Sequence, residues 1–276
     1  MPSGPAALLA SAFLHAAWNA LLKRERDPRV AVLGVLAAAF GFAAAAAALT
    51  PAPRFPTSSG VLWTVGAGVF EGLYFVTLAG ALARASYGAV YAIARGGALV
   101  VVWPAAALWL GEAVTPARAG GAALVGLGVV LVAAGSWGRA RRSGLLMAGL
   151  CAAAIAGYHL CYDRALVAGA AQAPVFAVAL GVALPMVWAS ARAAGAGTVD
   201  RRALARWTVA GALATASFLL FLAGLARSGA GVALTLRNTA VVFAQLLALA
   251  LGERVPRRQA IGSALVVAGA ALVSLD

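Results

Sequence analysis

The chain has 276 residues, of which 63% are hydrophobic and 11% are charged, and its mean hydropathy is +0.94. A soluble domain has about 45–50% apolar and about 25% charged residues, so the composition excludes a soluble protein and indicates that lipid surrounds most of the surface. A formal net charge of +13 would suggest nucleic-acid binding in a soluble protein. In a membrane protein it is explained by arginines in short loops, which set the orientation and contact lipid headgroups.

Ten apolar segments follow one another along the chain, each long enough for a membrane-spanning helix of about 20 residues. They cover approximately residues 4–22, 30–50, 60–82, 87–110, 117–135, 144–166, 171–193, 204–226, 230–251 and 257–275. The connections between them are short and polar, so neighbouring helices are predicted to be antiparallel. The first segment lacks a preceding basic region, and we interpret it as a retained span and not as a cleaved signal peptide.

The two cysteines, Cys151 and Cys161, fall within the sixth predicted span. Ten residues of helix separate them by about 15 Å, which excludes a disulfide bond between them. We interpret both as small apolar packing residues. No spacing of Cys and His predicts a metal site, and neither a metal nor a cofactor is expected.

A segment of the first half of the chain is repeated in the second half. Residues 110–132 and 251–273 are identical at 12 of 23 positions, at an offset of 141 residues. Each half contains five predicted spans, and because five is odd, the second copy enters the bilayer from the opposite side. The sequence therefore predicts an all-α integral membrane protein of about ten helices, built as two inverted five-helix repeats, residues 1–137 and 138–276.

Glycines recur at matching places of the fifth and tenth spans, as Gly121 and Gly128 and again as Gly262 and Gly269. A spacing of seven residues puts each pair on one face of its helix, two turns apart. Because the pair occurs in both copies, we expect close helix packing there. The alternative is a chance arrangement on a surface that faces lipid.

Several motifs resemble those of a known family of membrane proteins. The sequence HAAWNALLK occupies residues 15–23, LGE occurs at residues 110–112 and again at 251–253, and a glycine-rich span follows each LGE. Over nearly the whole chain, this pattern is similar to that of the EamA-type branch of the drug/metabolite transporter superfamily. The resemblance implies ten helices, a central cavity between the halves, and export or exchange of small metabolites. It does not specify the substrate.

Three ionisable side chains fall deep within predicted spans, where such groups usually face a cavity or a partner. Glu71, near the middle of the third span, is either hydrogen-bonded within the bundle or couples transport to a proton or cation. Arg95 and Arg237 lie about two turns into the fourth and ninth spans, at nearly equivalent places. They either snorkel to the interface or converge on the midplane and bind a carboxylate or phosphate. An ion pair between Arg95 and Glu71 is a further alternative.

Aromatic and imidazole groups occupy matched positions in the two halves. The offset of 141 residues maps Trp18 onto His159, so the groups around both are candidates for lining the cavity, with plain packing as the alternative. Ser217, Phe218 and Phe221, on the eighth span, could line the wall of the cavity, and plain packing is the favoured interpretation. The predicted substrate-contacting residues are His15, Trp18, Asn19, Glu71, Tyr74, Tyr91, Arg95, Tyr158, His159, Tyr162, Arg237 and Asn238.

Motifs typical of enzymes are missing from the sequence, which has no Walker loop, no HExxH and no nucleophile elbow. Glu112 and Glu253 directly follow spans and are expected to cap or pair in the headgroup zone. We therefore expect a secondary transporter that moves a small polar or amphipathic metabolite by alternating access, and no enzymatic activity. One alternative is a membrane enzyme that uses His15, His159 and Glu71 on a lipid substrate. Another is a non-transporting receptor or assembly subunit.

The expected partners are a small-molecule substrate, the lipid bilayer and a coupling proton or other ion, without nucleic acid, and the protein is expected to be a monomer or a homodimer. About 15 basic residues lie beside the odd-numbered connections and about four on the other side, so the positive-inside rule puts both termini outside. The family resemblance implies cytoplasmic termini instead. We follow the charge count, which is specific to this chain, and expect a multi-pass protein of the bacterial inner (plasma) membrane.

Overall fold

The structure is a computed structural model that describes residues 3–22, 25, 28–85, 87–134, 142–193, 195, 203–250 and 254–275. In this part of the chain, ten helical segments are long and apolar enough to cross a membrane. We number them as spans 1 to 10. Eight of them are single helices. In the first repeat these are span 1 (Gly4–Leu22), span 2 (Pro28–Ala48), span 3 (Ser58–Leu82) and span 5 (Pro116–Ala133). In the second repeat they are span 6 (Arg142–Val167), span 7 (Gln172–Ala193), span 8 (Leu204–Ser228) and span 10 (Arg257–Leu275). The prediction of ten spans is confirmed, and the predicted bounds of these eight differ by at most two residues.

Spans 4 and 9 are each built from more than one segment. Span 4 consists of the helix Tyr87–Tyr91, the π-helical turn Ala92–Gly96 and the helix Gly97–Trp109. Span 9 consists of the helix Ala230–Arg237 and the helix Ala240–Ala250, with a turn at residues 238–239. The sequence predicted two continuous helices here. Interrupted helices in a membrane are tolerated where the backbone is buried in protein or lines a cavity, and they are typical of transporter binding sites.

Local capping explains where two of the spans begin. The Thr57 hydroxyl accepts a hydrogen bond from the Gly60 N–H at the start of span 3. The Thr115 hydroxyl accepts one from the Arg118 N–H at the start of span 5, where Pro116 takes the first helical position. Both arrangements satisfy N–H groups that the helix itself leaves without a partner.

Both ends of the described chain lie on the same face of the bundle, because the number of spans is even. We call this the terminal face; it also carries the connections between spans 2 and 3, 4 and 5, 6 and 7, and 8 and 9. The remaining connections lie on the opposite face. Thr57 and Ala168 meet on the terminal face, where the hydroxyl donates to the carbonyl over 3.1 Å. Arg206 and Glu25 form a salt bridge of 2.8 Å on the opposite face.

The packing of the helices follows the internal repeat. Span 1 packs along span 8, and the equivalent spans, five places on, are 6 and 3, which also pack along each other. Span 2 contacts span 8, and the equivalent pair, spans 7 and 3, is also in contact. Span 5 packs along its own equivalent, span 10. These are the pairings expected for two inverted five-helix repeats. The predicted boundary at residue 137 lies outside the described residues.

The repeated glycines form the contact between spans 5 and 10. A methyl group on Gly128 would lie 2.5 Å from the carbonyl oxygen of Gly262, and one on Gly121 would lie 2.6 Å from that of Gly269. Any side chain at these positions would therefore push the two backbones apart. The prediction of close helix packing at the glycine pairs is confirmed.

Candidate functional site

Polar side chains from both halves of the chain meet inside the bundle, and we call them the central polar cluster. It consists of His15 on span 1, Glu71 and Tyr74 on span 3, Tyr91 and Arg95 on span 4, Tyr158, His159 and Tyr162 on span 6, and Arg237 and Asn238 on span 9. Seven of these ten residues are more than nine-tenths buried; His15, Tyr74 and Tyr91 are partly buried. The predicted site residues are thus brought together, with Trp18 at the edge and Asn19 outside.

Arg95 is held by a histidine of span 1. Its Nη2 donates a hydrogen bond to Nε2 of His15 over 3.0 Å. A guanidinium can only donate, so Nε2 is the accepting nitrogen and a neutral His15 carries its proton on Nδ1. The Trp18 ring packs edge-on against the imidazole at 5.2 Å. Nδ1 of His15 and Nη1 of Arg95 have no hydrogen-bond partner among the described residues.

Glu71 is held by a tyrosine of span 6 and not by an arginine. The hydroxyl of Tyr162 donates to Oε2 of Glu71 over 2.5 Å. Within the described residues there is no ion pair between Glu71 and Arg95, so the alternative of an Arg95–Glu71 pair is wrong. The π-helical turn places Arg95 against His15 instead. Glu71 is linked to Arg237 through two rings: the Tyr162 ring lies 6.5 Å from that of Phe221, and Phe221 lies against the Arg237 guanidinium.

Arg237 is the most deeply buried charge of the cluster, with 1% of its surface exposed. Its guanidinium lies 4.5 Å from the ring centre of Phe218 and 4.3 Å from that of Phe221, both on span 8. Such contacts stabilise a cation through the ring quadrupole but satisfy none of its N–H groups. Nε and Nη1 of Arg237, and both amide atoms of Asn238, lack a hydrogen-bond partner in the described part of the chain.

For the two phenylalanines around Arg237, the sequence favours plain packing over a place in the cavity wall, and it does not predict their contact with the guanidinium. Their spacing of three puts them on one face of span 8, but that spacing is equally typical of ordinary core residues. Ser217, beside them, donates to the backbone carbonyl of Ser11 over 2.8 Å and joins spans 8 and 1. Only the three-dimensional arrangement distinguishes a cation-binding pair of rings from plain packing.

A row of aromatic rings connects the charged groups. His159 stacks on Tyr158 with ring centres 4.5 Å apart, and Tyr158 lies 5.9 Å from Tyr74 and 6.0 Å from Tyr162. Nδ1 of His159 donates to the carbonyl of Ile155 over 2.8 Å. Nε2 of the neutral ring is therefore an acceptor, and it too has no partner among the described residues.

Two of the predicted site residues stand apart from the others. Asn19 is exposed, and its Nδ2 donates to the backbone carbonyl of His15 over 2.7 Å, which holds the amide against its own helix. Trp18 is buried and supports the His15 ring.

Tyr91, by contrast, belongs to the cluster and lies beside Arg95. The guanidinium of Arg95 is 5.9 Å from the centre of the Tyr91 ring.

The chemistry of the cluster favours a ligand with negative charge. The cluster contains two guanidinium groups and one carboxylate, so with both imidazoles neutral it carries one excess positive charge. The donors without partners belong to Arg95, Arg237, His15 and Asn238, and the acceptors without partners belong to His159 and Asn238. Among the described residues, no group of three or more His, Cys, Asp or Glu could hold a metal ion. The arrangement has the donors to bind a small anion.

Comparisons with known proteins bear on this arrangement. Residues 142–275, nearly the whole of the second repeat, match the model of the EamA-like transporter family. One solved structure, described as a crystal structure of a protein, superposes on this chain with a TM-score of 0.76. The match covers 99% of this chain and 95% of the other, and the two sequences are 21% identical. This likeness shows that the two proteins have the same fold. No curated protein sequence matches the chain. Together with the ten spans and the internal repeat, the match shows that the chain is a multi-pass membrane protein of the EamA-like transporter family, in the drug/metabolite transporter superfamily.

Proposed function

We propose that this protein is a secondary transporter that moves a small polar or amphipathic metabolite by alternating access, with the central polar cluster as its binding site. The two repeats, residues 1–137 and 138–276, are the units that move relative to each other. We place the protein in the bacterial inner membrane. The metabolite is a small carboxylate, bound through Arg95 and Arg237. The sequence carries no Walker loop, so the driving force is an ion gradient or exchange of one substrate for another.

One observation carries this proposal: Arg237 is 1% exposed, yet two of its nitrogens have no hydrogen-bond partner among the described residues. A buried donor without a partner costs about 1–3 kcal/mol, and more when it is charged. A fold that needed only packing at this position would be more stable with an apolar side chain. A carboxylate that enters between Arg237 and Arg95 would supply the acceptors that both guanidiniums lack.

The charge of the cluster narrows the class of substrate. An ion in a medium of low dielectric is stable only when paired, and the cluster has one positive charge in excess while Glu71 is ionised. A substrate with a single negative charge neutralises this excess while Glu71 is ionised, and it leaves the charge of the site unchanged if it binds together with a proton on Glu71. The tyrosine rings of the cluster suit an apolar part of the same molecule. The excess positive charge favours a carboxylate over a sugar, and the rings favour a monocarboxylate with an apolar part over a dicarboxylate.

Glu71 is the candidate for coupling to protons. Its carboxylate is linked through Tyr162 and Phe221 to the Arg237 guanidinium, and a bound substrate anion would compete with Glu71 for that cation. As the anion enters, the Glu71 carboxylate loses part of its electrostatic stabilisation and takes up a proton. Substrate and proton would then cross the membrane together. The alternative role for Glu71 is to fix span 3 to span 6 through Tyr162.

The test is transport by the purified full-length protein in proteoliposomes. Vesicles are loaded in turn with unlabelled lactate, benzoate, glutamate, malate or glycerol, and counterflow of the matching labelled compound is measured against protein-free vesicles. We expect counterflow of at least one monocarboxylate and none of glycerol. Counterflow of glycerol or malate alone would contradict the proposed substrate class, and no counterflow of any compound in this panel would contradict transport of a small carboxylate.

A further inference from the structure

The helix that carries Arg237 is unusually short and wholly enclosed. It contains the eight residues Ala230–Arg237, every one of which is buried. Its first residue lies at the terminal face and its last is Arg237, about 10 Å deeper at 1.5 Å per residue. Because so short a helix is not stable by itself, its position depends on the spans packed around it and on what holds its first turn.

A carboxylate of the first repeat holds that first turn. Glu112 follows span 4, and its two oxygens accept hydrogen bonds from the backbone N–H groups of Ala230, at 2.5 Å, and Gly231, at 3.1 Å. The first N–H groups of a helix have no partner within the helix, and an anion at this end is also favoured by the helix dipole. Glu112 therefore satisfies two of these groups from across the boundary between the repeats.

A second contact from span 4 supports the same helix one turn further on. The indole Nε1 of Trp103 donates to the Thr235 hydroxyl over 3.0 Å. The face of the same indole packs on Gly231, where an added methyl group would lie 3.1 Å from the ring. The helix is thus attached to span 4 at both its first and its second turn, in each case by a side chain of the other repeat.

Gly229 makes room for the carboxylate. Its φ of +80° is a left-handed conformation that favours glycine. A methyl group on Gly229 would also lie 2.6 Å from Cδ and 2.7 Å from Oε1 of Glu112. The turn between spans 8 and 9 is therefore shaped around this carboxyl group.

We propose that Glu112, assisted by Trp103, is a positioning residue that fixes where Arg237 enters the central polar cluster. Glu112 belongs to one repeat and Arg237 to the other, so any movement between the repeats at the terminal face changes the position of the guanidinium. Release of the carboxylate from Ala230 and Gly231 would then accompany opening of this face. The positioning stands on geometry alone, and its part in transport rests on the proposed function.

The test reads the position of Arg237 directly and needs no substrate. The full-length protein in detergent micelles is treated with phenylglyoxal, which modifies accessible guanidinium groups, and modification of Arg237 and Arg95 is measured by mass spectrometry in the same sample. In Glu112→Gln we expect the rate at Arg237 to rise by roughly tenfold, the size expected for losing one of the two hydrogen bonds at the helix start, because an amide has one accepting oxygen where the carboxyl group has two. The rate at Arg95 should not change. Glu112→Asp, which keeps both oxygens, should restore part of the protection.

Two matched controls separate positioning from general loosening. Glu25→Gln removes a carboxylate that also bonds across the repeats, to Arg206 on the opposite face, and should leave both rates unchanged. Gly229→Ala should act like Glu112→Gln, whereas Gly195→Ala, with a φ of +69° but nothing within 4 Å of an added methyl group, should not.

Three outcomes would overturn the proposal: an unchanged Arg237 rate in Glu112→Gln, an equal rise at Arg95 and Arg237 in a folded variant, or no recovery of protection in Glu112→Asp. If Glu112→Gln does not fold, the same measurement is made on Trp103→Phe, which removes the hydrogen bond to Thr235. The modification rate at Arg237 should then rise relative to that at Arg95, and an unchanged ratio would overturn the proposal. Failure of the transport assay would not alter this pattern, so the two proposals can fail separately.

Discussion

Tyr162 donates its hydroxyl hydrogen to Oε2 of Glu71 over 2.5 Å, and this bond joins span 6 of the second repeat to span 3 of the first. Both residues are at most 2% exposed. The bond gives the buried carboxylate a partner without neutralising it, which leaves its charge available to respond to Arg237. A carboxylate paired permanently with an arginine could not respond in this way.

Replacement of Tyr162 by Phe should destabilise the protein, because Glu71 then loses its hydroxyl donor. The expected loss is about 1–3 kcal/mol of folding free energy, measured as a lower Tm of the detergent-solubilised protein. The double variant Tyr162→Phe with Glu71→Gln should recover part of this loss, since an amide is less costly to bury without a partner than a carboxylate. A double variant whose Tm equals the sum of the two single effects would show that the pair is not coupled.

Replacement of Glu71 by Gln separates a coupling role from a purely structural one. The amide keeps the size of the side chain and an oxygen that accepts from Tyr162, but it cannot take up a proton. We expect accumulation driven by a proton gradient to be lost while counterflow persists. A folded Glu71→Gln protein that still accumulates labelled monocarboxylate against a gradient would rule out the coupling role.

Arg237→Met should raise the stability of the protein while it abolishes transport. The variant removes a buried charge and two nitrogens that lack hydrogen-bond partners among the described residues, at the cost of the contacts with Phe218 and Phe221 and of the charge that stabilises Glu71. We expect a net gain of about 1–3 kcal/mol, seen as a higher Tm. Arg206→Met, which removes a half-exposed guanidinium, is the matched control and should change the Tm little. A Tm of Arg237→Met well below that of the parent would mean that Arg237 is a structural residue.

The stability conferred by Glu112 should depend on pH. Burial raises the pKa of this carboxyl above 4.5 and Asp163 raises it further, while the N–H groups of Ala230 and Gly231 and the charge of Arg118 act in the opposite direction. An acid whose pKa is raised by folding stabilises the fold fully below its unfolded pKa, and this contribution is lost as the pH rises through the folded pKa. The Tm of the parent should therefore fall relative to the Tm of Glu112→Gln as the pH rises from 4.5. A rise of the parent's Tm relative to that of the variant would mean that the hydrogen bonds to Glu112 outweigh the effect of its burial.

Gly128→Val should separate spans 5 and 10, because the new side chain would collide with the carbonyl of Gly262. Overpacking of this kind costs about 1–3 kcal/mol, and we expect a broad, aggregated profile in gel filtration. Gly120→Val, on the same helix, has nothing within 4 Å of an added methyl group and should behave like the parent. Equal behaviour of the two variants would contradict the close contact.

Membrane orientation can be decided with single cysteines at Ala83, on the opposite face, and Leu275, on the terminal face. Both positions are exposed, and the native cysteines are buried. The charge count predicts that an impermeant maleimide added to intact cells labels Leu275→Cys and spares Ala83→Cys. The reverse pattern would show that the termini are cytoplasmic, as the family resemblance implies.

Most of the fold could be predicted from the sequence, because in a membrane the length of an apolar run and its interruptions determine the helices directly. Span 1 was predicted with its exact bounds, Gly4–Leu22. The glycines at 121 and 128 predicted a helix contact because the repeat showed them twice. The break after Arg237 was not predicted, since residues 238–239 are Asn and Thr, which do not by themselves end a helix.

The candidate site was predicted in its composition but not in its pairings. Burial of Glu71 and Arg237 followed from their depth in apolar spans. Their partners did not, because the π-helical turn at Ala92–Gly96 redirects Arg95 to His15 and leaves Glu71 to Tyr162. The capping role expected for Glu112 is confirmed, but the sequence could not show that the capped helix belongs to the other repeat. Glu253, expected to act likewise, lies outside the described residues.

The most direct test of the account is counterflow of labelled monocarboxylate by Arg95→Gln and Arg237→Gln in proteoliposomes, with Arg206→Gln as the control. Both guanidiniums lie in the central polar cluster, so each variant should lose most of the parent's rate while it still reconstitutes as a folded protein. Arg206→Gln should keep that rate. If both cluster variants transport at the rate of the parent, the buried arginines are structural and the central polar cluster is not the substrate site.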